Sequence, residues 1–352
     1  MSGVTARPAG HEAAEVAIGI GEEDTSAAAG ERLAPAPRPQ DRVQLPQWLI
    51  GHEPAVGHAP RSHMERGDRV CVLGSCPAHH QGILPPVPEA RIIRLRDGRR
   101  LAYDDVGDPR GAPLLYFHGG GDSRLTRHPD DAIAEQLGIR LIAVDRPGCG
   151  RSDFRRCRSL AEWAADVDEV ADALELGRFA VLGWSAGGPH ALACARILRD
   201  RVERAAVVAG MPEPASFALL PRDLHLTLRL ARRDPRLAFR VLTRWSRRPT
   251  PQTGDADCDP AYAAGRVEAF RQGSRGLAWE LHMLTRQWGF LPEEIRVPVS
   301  LWYGARDRVC PPAIGVDLER RIPAASLTVV EDGHQLLFTR WREILTELRG
   351  QS

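Results

Sequence analysis

Phe179-Ala180-Val181-Leu182-Gly183-Trp184-Ser185-Ala186-Gly187-Gly188 is an apolar run that ends in Gly-x-Ser-x-Gly, and a helix-like pattern follows at once. In that strand–turn–helix context the pentapeptide reads as a nucleophile elbow. A serine at the tip of a tight strand-to-helix turn has a strained backbone. The residues two places away on each side must then lack a Cβ, because strand and helix pass too close for one. Such a turn exposes the Ser185 hydroxyl above a sheet. A helix N-terminus lies behind it, where backbone N–H groups can receive developing negative charge.

The flanking sequence alternates strand and helix patterns. Upstream, 91–95 and 100–106 read as two strands around the turn Asp97-Gly98. Residues 113–117 form a short apolar run ending in His118-Gly119-Gly120-Gly121, and 131–137 look helical. A buried strand at 140–144 ends at Asp145, followed by Arg146-Pro147-Gly148-Cys149-Gly150-Arg151-Ser152. Leu160, Trp163, Val167, Val170, Ala171 and Leu174 then recur at helical spacing. Downstream come a helix at 188–198, a strand at 205–208, a strand at 297–302 leading to Asp307, and a helix at 313–322. A strand at 327–330 leads to His334, and a helix at 341–348 closes the pattern. Several of these strands are apolar throughout, which indicates a parallel sheet covered on both faces. Ligands bind such sheets beyond the C-terminal ends of the strands. His118, Asp145 and Ser185 all fall at such ends.

Residues 211–292 break this rhythm. They are rich in Leu and Arg, carry Trp245, Trp279 and Trp288, and read as an inserted, mainly helical cap. Phe239, Leu242 and Trp245 fit a helical face, whereas Leu224, Leu226, Leu228 and Leu230 alternate and fit either type. The α/β core therefore comprises 89–210 and 293–352. Residues 1–88 differ again: they are rich in Ala, Pro, Gly, Glu and Arg, with few large apolar residues, and are expected to be disordered. Short ordered patches are allowed at 45–50 and 69–73.

The 352 residues carry 47 basic and 46 acidic side chains, for a net charge of +1. That balance gives no electrostatic case for nucleic acid or an acidic membrane surface. No lysine occurs, and the arginine pairs read as solvated faces. The seven cysteines are odd in number and scattered, which suits a reducing cytoplasm better than a disulfide framework. Cys71, Cys76, His79 and His80 fit no standard zinc spacing. No apolar run reaches the roughly eighteen residues of a membrane span, and there is no secretory signal pattern. The expected partner is a small-molecule substrate, with no metal or organic cofactor.

Four motifs in this order carry a resemblance: His118-Gly119-Gly120-Gly121, Asp145-Arg146-Pro147-Gly148-x-Gly150-x-Ser152, Gly183-x-Ser185-x-Gly187, and the late Asp307 and His334. Residues 91–350 resemble the α/β-hydrolase fold family, in the branch with a helical cap after the sixth strand. The resemblance implies Ser185 as nucleophile, His334 as the base that takes and returns its proton, and Asp307 as the acid that orients the imidazole. It implies an oxyanion hole from the backbone N–H groups of Gly120 and Ala186, with Gly119 and Trp184 beside the substrate. Glu213, just after the sixth strand, is the rival acid. His118, Asp145 and Arg146 are expected to organise loops.

The leading expectation is a serine hydrolase acting on an ester, thioester or lactone of a small, mostly apolar acyl compound. Serine at 185 argues against epoxide hydrolase or haloalkane dehalogenase chemistry, in which the family uses aspartate. Gly121 stands where proline iminopeptidases have proline, so peptide cleavage ranks low. The alternatives are a perhydrolase or lyase, or a non-hydrolytic ligand-binding use of the same fold.

Overall fold

The computed structural model describes residues 89–156, 159–235, 243 and 250–350. The expected disorder of 1–88, its two patches, the Cys71–His80 cluster and the helical face of Phe239, Leu242 and Trp245 lie outside the described residues.

Eight strands form one sheet in the order β1-β2-β4-β3-β5-β6-β7-β8. β1 (Arg91–Arg94) and β2 (Arg100–Gly107) pair antiparallel across a turn in which Gly98 has φ 85°. β2 also pairs antiparallel with β4 (Ile139–Val144). From β4 onward all pairings are parallel: β3 (Ala112–Phe117), β5 (Phe179–Trp184), β6 (Val202–Val208), β7 (Val299–Gly304) and β8 (Ala325–Val330). The last four residues of β3, β4, β5, β6 and β7 are all buried. Consecutive strand residues point to opposite faces, so both faces of the sheet are covered.

Two neighbours on β3 show what covers them. The Tyr116 ring meets Trp341 edge-on at 6.0 Å, on α9 (Trp341–Arg349). The Phe117 ring meets Trp163 edge-on at 5.1 Å, on α2 (Leu160–Ala173). On the second face α2 packs against α3 (Gly187–Ile197), and α3 packs on β5 and β6. On the first, α9 packs against α1 (Ala132–Gln136). Each large aromatic buried this way contributes roughly 1.5–3 kcal/mol. The remaining core helices are α7 (Pro312–Arg321) after β7 and α8 (Leu336–Thr339) after β8.

Among the described residues, two 3₁₀ segments (Pro214–Leu219 and Pro292–Glu294) and three helices lie between β6 and β7: α4 (Arg222–Arg233), α5 (Asp259–Ala269) and α6 (Arg275–Leu284). The alternating leucines of 224–230 are helical: Leu228 and Ala231, three apart, are buried, while Leu226 is exposed. Asp223 in the first turn and Arg232 and Arg233 in the last favour the helix dipole. Two glycine contacts seat the inserted helices on the core. Gly265 of α5 lies against Thr126, and Gly276 of α6 lies against Gly148, where a Cβ would stand 2.6 Å from the Gly148 carbonyl carbon.

Two buried arginines reinforce this seating. Arg124 bonds Asp104, Asp145 and, from α5, Glu268, each at 2.9 Å. Arg146 bonds Glu280 from α6. Among the described residues no helix is long and apolar enough to cross a membrane. The four described cysteines, Cys149, Cys194, Cys258 and Cys310, are buried.

Candidate active site

Ser185 stands at the turn between β5 and α3 with φ 52°, in the left-handed region that a serine enters only under strain. The flanking glycines are steric necessities. A Cβ on Gly183 would stand 2.6 Å from the Gly187 carbonyl carbon and 2.9 Å from the Ala191 Cβ. A Cβ on Gly187 would stand 2.7 Å from the His118 carbonyl oxygen. Hydrogen bonds hold the turn to the sheet: the Ser185 N–H donates to Val208 at 2.9 Å, and its carbonyl accepts from Gly188 at 3.0 Å and Met211 at 3.1 Å.

His334 and Asp307 reach this serine from the loops after β8 and β7. The His334 Nε2 lies 3.0 Å from the Ser185 Oγ, and its Nδ1 lies 2.8 Å from the Asp307 Oδ2. The other Asp307 oxygen accepts the N–H groups of Val309 at 2.7 Å and Cys310 at 2.9 Å. The carboxylate side chain is fully buried. A carboxylate on Nδ1 fixes the proton there, leaving Nε2 as the acceptor facing the serine hydroxyl. Trp184 packs beside the imidazole: its ring lies 5.6 Å from that of His334, and its Nε1 donates to the His334 carbonyl at 3.1 Å. Glu213 pairs instead with Arg321. Asp332 accepts from the Thr339 hydroxyl at 2.6 Å.

The glycine loop after β3 faces the serine from the other side. Gly120 and Ala186 both line a cavity of about 530 Å³ with Ser185, Trp184 and His334. A Cβ on Gly120 would lie 3.4 Å from that of Ala186, so the two backbones adjoin. Gly119 does not line the cavity: it packs on the Trp184 ring, and its carbonyl takes the Arg146 Nη2 at 3.0 Å. Arg146 also donates to the His118 carbonyl and pairs with Glu280. The His118 Nδ1 bonds the Gly119 carbonyl at 2.8 Å, and its Nε2 accepts the Arg146 N–H at 3.2 Å. That pattern requires neutral imidazole, and burial followed by the Arg146 charge holds its pKa well below the usual value. Asp145 accepts the N–H groups of Arg124 at 2.7 Å and Arg151 at 3.0 Å, organising the next loop.

The cavity has two kinds of wall. Met211, Leu224, Leu277, Leu281 and Val309 are among its apolar residues; Asp122, Tyr262, Arg266 and Gln335 are among its polar ones. None of these four was legible as a site residue in the sequence. Asp122 directly follows the glycine run, a local signal that passes unnoticed beside the four motifs. Tyr262 and Arg266 lie in the stretch read only as a helical insertion, and Gln335 directly follows His334. Among the described residues one group could hold a metal ion: His128, Asp255 and Cys258, whose ligand atoms lie within 4.8 Å of one another. None of the three lines the cavity. Burial first, then Asp255, pushes the Cys258 thiol up to about 12.

A sheet in this order, with a strained serine after its fifth strand and a histidine and an aspartate from its last two loops, defines the α/β-hydrolase architecture. The family model for the alpha/beta hydrolase fold matches residues 112–340, and the chain belongs to that family. It is 27% identical over 241 residues to a 2-hydroxy-6-oxononadienedioate/2-hydroxy-6-oxononatrienedioate hydrolase of Burkholderia vietnamiensis, covering 65% of this chain and 82% of the relative. It is 25% identical over 114 residues to the proline iminopeptidase of Neisseria gonorrhoeae, a match that spans 36% of that relative's length. In structure it is similar to the enol-lactonase of Burkholderia xenovorans, with a TM-score of 0.59, 18% identity, and 74% and 100% of the two chains covered.

Proposed function

We propose that the protein is a serine hydrolase that cleaves an ester, thioester or lactone of a small acyl compound through an acyl-enzyme. The observation that carries this reading is the unbroken run of hydrogen bonds from Asp307 through His334 to Ser185, ending at the wall of a cavity. His334 takes the Ser185 proton as Oγ attacks the carbonyl carbon. The C=O π pair moves to oxygen, and the backbone N–H groups of Gly120 and Ala186 receive it. Collapse expels the alcohol or thiol, protonated by His334, and leaves the acyl group on Ser185. Water then repeats the sequence and releases the acid. The helices inserted between β6 and β7 serve as the cap that closes this pocket, and the odd, scattered cysteines suit the cytoplasm. The substrate contributes its own carbonyl, and the chemistry needs no cofactor.

The test is Ser185→Ala assayed against p-nitrophenyl esters of increasing acyl length. Loss of at least about 10³ in kcat is expected, with an unchanged circular dichroism spectrum. Turnover near that of the parent protein would overturn the assignment.

A further inference from the structure

The polar corner of the cavity makes a more specific demand on the substrate than its apolar walls do. Asp122 lines the cavity together with Ser185 and His334, yet is only 3% exposed. Its Oδ1 is buried and has no hydrogen-bond partner among the described residues. An acceptor left in that state costs stability, and at a cavity wall a hydroxyl entering the cavity would complete it. Its place near the chemistry follows from its neighbours. It comes two residues after Gly120, and its Oδ2 lies 2.5 Å from where a Gly119 Cβ would stand.

The charges around Asp122 select the kind of group it would accept. Arg266 and Arg146 act on it with positive charge, as does His334 when protonated, and Glu280 acts with negative charge. Arg266 also bonds the Tyr262 hydroxyl. A substrate ammonium would meet these arginines, and a substrate carboxylate would meet Asp122 and Glu280. A neutral O–H meets neither penalty. It can donate to the Asp122 carboxyl in either protonation state, since even the acid form keeps acceptor lone pairs. Burial pushes that carboxyl up to about 7, so both forms are present near neutrality.

We propose that Asp122 is a specificity-determining residue that accepts a hydrogen bond from a substrate hydroxyl close to the scissile carbonyl, which makes hydroxylated esters the preferred substrate class. This rests on the serine-hydrolase reading above and narrows its substrate from simple acyl esters to hydroxylated ones. No bond forms or breaks at Asp122.

The experiment compares three esters in a pH-stat: ethyl butanoate, ethyl 3-hydroxybutanoate and 2-hydroxyethyl butanoate. They place the hydroxyl nowhere, on the acyl side and on the alcohol side. The expected result is that at least one hydroxylated ester exceeds the parent ester in kcat/KM by about tenfold or more. Asp122→Ala brings that ratio to about one, and Asp122→Asn, which keeps a carbonyl acceptor, retains part of it. Equal kcat/KM for all three esters with the native protein, or a preference that survives in Asp122→Ala, overturns the proposal. The ratio is internal to each variant, so a general loss of activity does not mimic the effect. Ser185→Ala on the same esters separates the two readings: if it still turns them over, the serine-hydrolase reading has failed and not the role of Asp122.

Discussion

Glu280, on a helix inserted between β6 and β7, pairs in the protein interior with Arg146, whose guanidinium also holds the carbonyls of His118 and Gly119. The inserted helices are thereby wired to the glycine loop that faces Ser185. Both partners are nearly fully buried. Removing one leaves an uncompensated charge in a low-dielectric interior, which costs far more than the pair contributes when intact. Glu280→Ala is expected to lower unfolding free energy by about 3–5 kcal/mol. Because the loop loses its anchor, kcat should fall as well. Denaturant unfolding with parallel kinetics checks both; a fully stable, fully active variant would contradict the coupling.

The acid of the site is a second point of test. Asp307→Asn removes the carboxylate from Nδ1 and should reduce kcat by about 10⁴, since the imidazole is then held in the wrong tautomer. Glu213 is occupied by Arg321, so Glu213→Gln should leave kcat unchanged. The reverse pattern would move the acid to Glu213.

The elbow predicts a steric failure. Gly183→Ala puts a methyl 2.6 Å from the Gly187 carbonyl carbon. Backbone cannot yield there without displacing Ser185, so a loss of stability of about 1–3 kcal/mol or more is expected. A variant that unfolds at the parent's denaturant midpoint would contradict the packing.

Asp122 predicts a pH signature of folding. Its carboxyl is raised from 3.8 to about 7, with burial as the cause. As pH rises through that window the unfolded chain gives up the proton first, so the folded state binds more protons and stability falls. Asp145, raised to about 6 by burial, adds a slope of the same sign up to that pH. Asp122→Asn lacks its own contribution. The stability difference should therefore shift in the variant's favour from pH 3.8 to about 7 and then level off. A difference independent of pH would show that Asp122 does not titrate in this way.

Much of this arrangement is legible in the sequence because local rules and the global fold agree. The elbow glycines, the apolar parallel strands and the strand-end positions of Asp307 and His334 are each dictated within a few residues. The choice between Asp307 and Glu213 was not legible, because it depends on which carboxylate reaches an imidazole 27 residues further on. The Leu224–Leu230 stretch was ambiguous because alternation and a partly buried helix share the same apolar positions. Asp122, Arg266 and Glu280 escaped for a different reason. Their surroundings are assembled from segments more than a hundred residues apart, and nothing in their local spacing marks a buried polar group.

The central claim is that Ser185 is an activated nucleophile, and one measurement addresses it without knowledge of the substrate. The purified protein is treated with a fluorophosphonate probe, the adduct is located by peptide mass spectrometry, and His334→Ala is treated alongside. Labelling on Ser185 in the native protein, lost in His334→Ala, is the predicted result. Absence of a Ser185 adduct in the folded protein, or equal labelling of both proteins, would contradict it.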